Sequence, residues 1–212
     1  MSDLPRRFVL AVTFALSLPL LASAAPAANE DFTLGDPNAK VTVIEYASAS
    51  CPHCARFNND ILPAFKAKYV DTGKVRYVFR EFLTDPANVA AAAFLTARCG
   101  GPGSYFKILD AFFHRQQHMY ETGDVRAALI GAGAAGGLSE QQVNDCVSDQ
   151  AAAKALDDRV QRYVHEDHID STPTFVIGDH RLVGEQTLDT LSVAVDAALA
   201  KAHHRPSKRR RM

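Results

Sequence analysis

Val41-Thr42-Val43-Ile44-Glu45-Tyr46, then Ala47-Ser48-Ala49-Ser50, then Cys51-Pro52-His53-Cys54: this stretch decides how the chain is read. The first six residues are rich in β-branched side chains, which suit a buried strand. The four small residues make a loop. The cysteine pair follows at once, at the start of a helical pattern in which Phe57, Ile61 and Phe65 recur at i, i+4 and i+8. A Cys-x-x-Cys at a helix start has a definite chemistry. Unpaired N–H groups and the helix dipole place positive charge there and favour a thiolate on Cys51. Two intervening residues let the sulfur of Cys54 reach that of Cys51, so a disulfide can open and close. His53, protonated or donating a hydrogen bond, would favour the thiolate further. Pro52 suits the first turn and offers no competing N–H. A stabilised thiolate stabilises the reduced pair and makes its disulfide an oxidant. Cys51 is then the nucleophile and Cys54 the more buried, resolving thiol. A purely structural disulfide, or half a metal site, are the competing readings.

Outward from this centre, Pro63 should kink the helix that runs to about Tyr69. Asp71-Thr72-Gly73 is a turn, and Val75 to Phe79 is a second strand, parallel to the first with a right-handed crossover. Thr33-Leu34-Gly35 can add a short edge strand. Residues 86–168 read as helices. Pro86 can sit in a first turn. Gly100-Gly101-Pro102-Gly103 is a stop, Ser104 and Asp124 are caps, and Ser139 with Gln142 is a capping box. After Ser171-Thr172-Pro173, Thr174 to Ile177 and Arg181 to Val183 form a hairpin around Gly178-Asp179, and a closing helix starts at Thr187. The order is β-α-β, a helical block, then β-β-α.

The N-terminus reads as a secretory signal peptide. Arg6-Arg7 precede an apolar run from Phe8 to Leu21, and the small residues Ala22-Ser23-Ala24 follow. A signal peptide over 1–25 implies export, and paired arginines leave a twin-arginine route open. Export favours disulfides among the four cysteines. Cys99 and Cys146 read as a structural disulfide, with two buried thiols as the alternative. Residues 26–200 carry 15 Lys+Arg against 23 Asp+Glu, a net −8, so the body gives no sign of binding nucleic acid. Residues 203–212 form a basic tail read as disordered. His114 and His118 stand at i, i+4 but lack the acid of a metalloprotease helix, so no metal is assigned. Phe112, Phe113 and Tyr120 read as core.

Cys-Pro-His-Cys after an apolar strand, a helical insertion, and a Thr-Pro before a final hairpin resemble the DsbA-like branch of the thioredoxin superfamily over about 36–200. The resemblance implies an α/β, thioredoxin-like fold with a mainly helical insertion between its βαβ and ββα halves. The thioredoxin-like part would span 26–85 and 169–202, and the insertion 86–168. It implies that Thr172-Pro173 is the cis-proline loop facing the cysteines, where a bound peptide would pair as a short strand. It also implies that Glu45 is a buried acid relaying protons to Cys54. The implied activity is the introduction of disulfides into exported proteins in the periplasm of a Gram-negative bacterium. The substrates would be reduced or unfolded proteins, and a DsbB-type, quinone-linked membrane protein would reoxidise the pair. No cofactor is called for, and a monomer that is not an integral membrane protein once the signal is cleaved is expected. A disulfide isomerase or reductase is the nearest alternative. A copper-binding thiol protein using Cys51 and Cys54 as soft ligands is the alternative from another class.

Overall fold

The computed structural model describes residues 31–204. The signal segment 1–25 and the tail from residue 205 lie outside the described residues, as do the side chains of His203 and His204.

Among the described residues five strands form one sheet in the order β1-β3-β2-β4-β5. They are β1 (Phe32–Leu34), β2 (Val41–Ala47), β3 (Val75–Glu81), β4 (Thr174–Ile177) and β5 (His180–Val183). β2 runs parallel to β3, and the other pairs are antiparallel. The first helix, α1, runs over 52–70 and carries Cys54. It alternates α turns (Pro52–Arg56, Leu62–Phe65) with π turns (Phe57–Ile61, Lys66–Val70). The first π turn accommodates Pro63. A proline lacks the N–H of a regular turn, and its ring crowds the carbonyl four residues back. In the π turn before Pro63 the Leu62 N–H reaches back five residues to the Phe57 carbonyl.

Five helices follow without a strand between them. These are α2 (Ala87–Cys99), α3 (Tyr105–Thr122), α4 (Val125–Ala135), α5 (Glu140–Ser148) and α6 (Gln150–Glu166); α7 (Leu188–His204) closes the described chain. The caps at Asp124 and Ser139 form, the latter as a full capping box. Ser104 occupies the N-cap of α3 but makes no capping bond with its side chain. Pro86 precedes α2 rather than opening it, and the Asp85–Pro86 bond is cis.

Strand register divides the core into two faces. Val43, Tyr77 and Ile177 stand side by side, as do Glu45, Phe79 and Phe175. This face meets α1, α2 and α3 through Phe57 against Phe175, Phe94 against Phe79, and Phe106 against Tyr77 and Phe79. On the opposite face Tyr46 meets Tyr163 of α6 edge-on at 5.6 Å. The guanidinium of Arg80 lies over both of those rings and pairs with Asp31 and Asp167. Glu45 is thus a carboxyl placed among aromatic side chains on the face covered by the cysteine helix.

Candidate active site

The loop between β2 and α1 is buried although it carries no large side chain: Ser48, Ala49 and Ser50 are almost wholly enclosed. A buried loop must satisfy its backbone groups, and here other elements do so. The Thr84 N–H donates to Ser48 Oγ at 3.2 Å, and Ser50 Oγ donates to the Thr84 carbonyl at 2.7 Å. From α3, Gln116 Nε2 donates to the carbonyls of Ala49 (2.7 Å) and Cys51 (3.3 Å), and the Tyr120 hydroxyl donates to that of Ser50 (2.7 Å). Tyr120 is therefore not core: it is 43% exposed and braces the loop, whereas Phe112 and Phe113 are buried. The helical block thus holds the cysteine loop from above.

Cys51 occupies the N-cap of α1 in extended conformation. Its sulfur accepts the Cys54 N–H at 3.3 Å, the position in which a serine or aspartate oxygen commonly caps a helix. Its thiol also points to the Thr172 carbonyl at 3.5 Å. The Thr172–Pro173 bond is cis, and the Pro173 carbonyl accepts the Gly184 N–H. The loop before β4 therefore lies directly against Cys51. The Thr172 hydroxyl is buried without a partner beside a sulfur that is present as a thiol.

The two sulfurs differ sharply in acidity. Hydrogen bonding from Cys54 is the main cause that brings Cys51 down to about 5, helped by Thr172 and by the N–H groups of Cys54 and His53, and opposed by burial. Cys54, at 1% exposure, is pushed well above the ordinary thiol range by burial first, then by Cys51 and the charge of Glu45. Glu45 is buried and accepts a hydrogen bond from the Tyr77 hydroxyl. Burial raises its carboxyl to about 8; the Tyr77 bond works against that rise and the Cys51 charge adds to it.

His53 departs from the expected arrangement. Its side chain is 54% exposed, and its Nδ1 lies 2.8 Å from Glu185 Oε2 rather than bonding to a sulfur. Glu185 is also gripped by Arg56, with Nε to Oε1 at 2.9 Å and Nη2 to Oε2 at 2.8 Å. Arg56 first and His53 second hold the Glu185 carboxyl down at about 2. The help that His53 gives the Cys51 thiolate comes through its backbone N–H.

Cys99 at the end of α2 and Cys146 in α5 form a disulfide with Cα atoms 6.1 Å apart, and Cys51 and Cys54 remain as the free pair. Replacing both by serine is expected to cost about 2–4 kcal/mol, from lost restraint on the unfolded chain. Denaturant unfolding of the two proteins checks this; equal midpoints would contradict it. His114 is engaged by the Asp110 carbonyl, and among the described residues no group of three His, Cys, Asp or Glu side chains is placed to hold a metal. No described helix is long and apolar enough to cross a membrane.

Sequence reasoning missed Arg56, Gln116, Tyr120 and Glu185. Arg56 had a faint signal, one helical turn after His53. The other three reach the centre only through the fold.

A dithiol at a helix start, set against a cis-proline loop on a β1-β3-β2-β4-β5 sheet, defines a thioredoxin-like protein. The chain belongs to the thioredoxin family: the family model described as Thioredoxin matches residues 27–197. Relatives in Rickettsia conorii and Rickettsia typhi, with protein-disulfide oxidoreductase in their names, are 33% and 32% identical over 81% of this chain. The chain spans about three fifths of their length, 61% and 63%. The crystal structure of Wolbachia pipientis alpha-DsbA1 is similar with a TM-score of 0.74 at 28% identity, covering 82% of this chain and 92% of that one. The fold is accordingly that of the DsbA-type proteins, helical insertion included.

Proposed function

We propose that this protein is a thiol:disulfide oxidoreductase of the periplasm that introduces disulfides into exported proteins by exchange at Cys51 and Cys54. The acidity difference between the two sulfurs carries this reading: Cys51 lies near 5, while Cys54 lies well above the ordinary thiol range. In the disulfide form, a substrate thiolate attacks Cys51 Sγ. A substrate–Cys51 bond forms, the Cys51–Cys54 bond breaks, and Cys54 leaves as a thiolate. Cys54 is a poor thiolate, so it takes up a proton, and Glu45 is the acid that supplies it. A second substrate thiolate then attacks the substrate sulfur of the mixed disulfide. Cys51 leaves readily because its thiolate is stable. The substrate has lost two electrons and the pair has gained them. A quinone-linked membrane protein of the DsbB type returns the pair to the disulfide, with Glu45 taking the proton from Cys54.

Other groups have supporting roles. The backbone of the Thr172-Pro173 loop is where a bound peptide would pair as a short strand. The unpartnered Thr172 hydroxyl gains an acceptor when Cys51 becomes a thiolate. Pro52 preserves the first turn of α1.

The test is the reduction potential of the pair, together with refolding of one reduced and one scrambled substrate. An oxidising potential with activity on the reduced substrate is expected. A potential near that of thioredoxin, about −270 mV, would remove the oxidase reading. Activity on the scrambled substrate alone would make the protein an isomerase.

A further inference from the structure

The part of the centre that the exchange reaction leaves unused is the charged cluster on its rim. It joins two elements distant in sequence: His53 and Arg56 come from α1, and Glu185 follows β5. The cluster is near enough to the reactive sulfur for Arg56 to interact electrostatically with Cys51, and His53 lies between the two cysteines in the chain. Glu185 follows Gly184, whose N–H is bonded to the Pro173 carbonyl, so this carboxylate is placed from the cis-proline side of the cleft.

Its geometry is that of a built pair. Arg56 presents two nitrogens to two oxygens, the fork arrangement that makes guanidinium–carboxylate contacts directional. His53 Nδ1 joins on the Oε2 side. Single exposed ion pairs contribute little, but bidentate geometry within a three-member network is the exception. Arg56 Nη2 also lies 2.5 Å from His53 Nδ1, so the ring of His53 and the guanidinium of Arg56 are both engaged within this rim cluster. Other titratable groups nearby are Asp60 on α1 and His114, Tyr120 and Glu121 on α3, which line the same cleft as Arg56 and Gln116, and the buried Glu45 of β2, which like Tyr120 interacts electrostatically with Cys51.

We propose that Glu185 is a positioning residue of the dithiol centre, which holds the His53 imidazole off the Cys51 sulfur and so limits how strongly the thiolate is favoured. The sign follows from electrostatics. An imidazole ring released toward the sulfur, donating a hydrogen bond to it, favours the thiolate, and the disulfide becomes the stronger oxidant. Glu185 thus sets an upper bound on the oxidising power of the pair. This inference rests on the oxidoreductase reading of Cys51.

The experiment is thiolate absorbance against pH for the reduced protein, with E185Q, H53A and the double variant H53A/E185Q alongside. It reads the sulfur directly and needs no substrate. E185Q is expected to raise the acid dissociation constant of Cys51 about two- to fivefold, the range of an exposed ion-pair network. In the H53A background the same change should produce less than half of that shift. No shift in E185Q would overturn the inference. An equal shift in both backgrounds would also overturn it, leaving Glu185 as a plain through-space charge. If the unsubstituted protein shows no low-pH thiolate, the reading of Cys51 itself fails, which is a separate outcome. Glu185 is half exposed, and a circular-dichroism spectrum confirms that each variant is folded.

Discussion

At pH 8 the dithiol form should unfold later than the disulfide form, and by pH 5 the order of the two should be reversed. The cause is the depressed acidity of Cys51. In the unfolded chain its thiol titrates near the ordinary value of 9.0, whereas in the fold it lies at about 5. A group depressed on folding contributes stability that is fully present above the unfolded value and lost as pH falls through the folded one. The window here runs from about 9 down to about 5. The gain for the reduced form is at most about 4 kcal/mol at pH 8, reduced by whatever solvent screens, and well under 1 kcal/mol at pH 5. Opposing it, the Cys51–Cys54 disulfide restrains the unfolded chain, but so short a loop contributes only roughly 2 kcal/mol or less. The dithiol is favoured while the first exceeds the second. Glu45 acts with the opposite sign. Raised to about 8, its stabilising effect is complete below the ordinary carboxyl value and lost as pH rises through 8. Both redox forms contain Glu45, so its burial largely cancels in the comparison. Cys54, raised above the ordinary thiol range, affects the balance only above about pH 9. Thermal unfolding of the two forms at pH 8, 6.5 and 5 checks the expectation. A gap that does not change with pH would mean that Cys51 is an ordinary thiol.

The same residue shows what was legible before any coordinates. Val41 to Tyr46 announced β2 through its β-branched residues, and the small residues after it announced the loop. Both signals are local. Glu45 sits within that strand pattern as its one charge, so its position was readable, and its burial followed from a resemblance rather than from periodicity. The helical insertion was visible for the same local reason: Asp124, Ser139 and Gln142 are caps whose partners lie within three residues. The orientation of His53 was not legible. A side chain between two cysteines looks committed to sulfur until its carboxylate partner appears 132 positions away. Gln116 and Tyr120 have the same character. On α3 they look like a polar residue and an aromatic among others. Their bonds to the carbonyls of residues 49–51 exist only because α3 crosses the loop. The π turns around Pro63 were hidden too. A proline within a helical pattern signals a disturbance, not whether the helix breaks, bends or widens.

Replacing Glu81 by alanine is expected to cost about 3–5 kcal/mol, the range for removing one partner of a buried charge cluster. Glu81 is the last residue of β3 and stands beside Ala47, where β2 gives way to the cysteine loop. Its carboxylate accepts Arg98 Nε at 2.8 and 2.9 Å, Arg159 Nη2 at 3.0 Å and the Tyr105 hydroxyl at 3.0 Å. Those donors come from α2, α6 and α3. One buried anion therefore fastens three helices of the insertion to the end of the sheet that carries the active-site loop. The size of the loss follows from where the contacts are made. Arg159 is 2% exposed and Glu81 1%, so the charge contact broken between them lies out of water, where it counts for more than on the surface. Alanine at Glu140 is the control: its pairing with Arg126 is exposed on both sides and should matter by less than about 1 kcal/mol. Denaturant unfolding separates the two variants, and a Glu81→Ala protein as stable as Glu140→Ala would show that the cluster fixes geometry without adding stability. The contrast with the rim follows from burial. Glu185 and Glu81 are both carboxylates gripped by arginine. The rim pair stands in water, where it can tune a neighbouring sulfur at little structural cost, and the Glu81 cluster is enclosed, where it holds the helices that brace the loop.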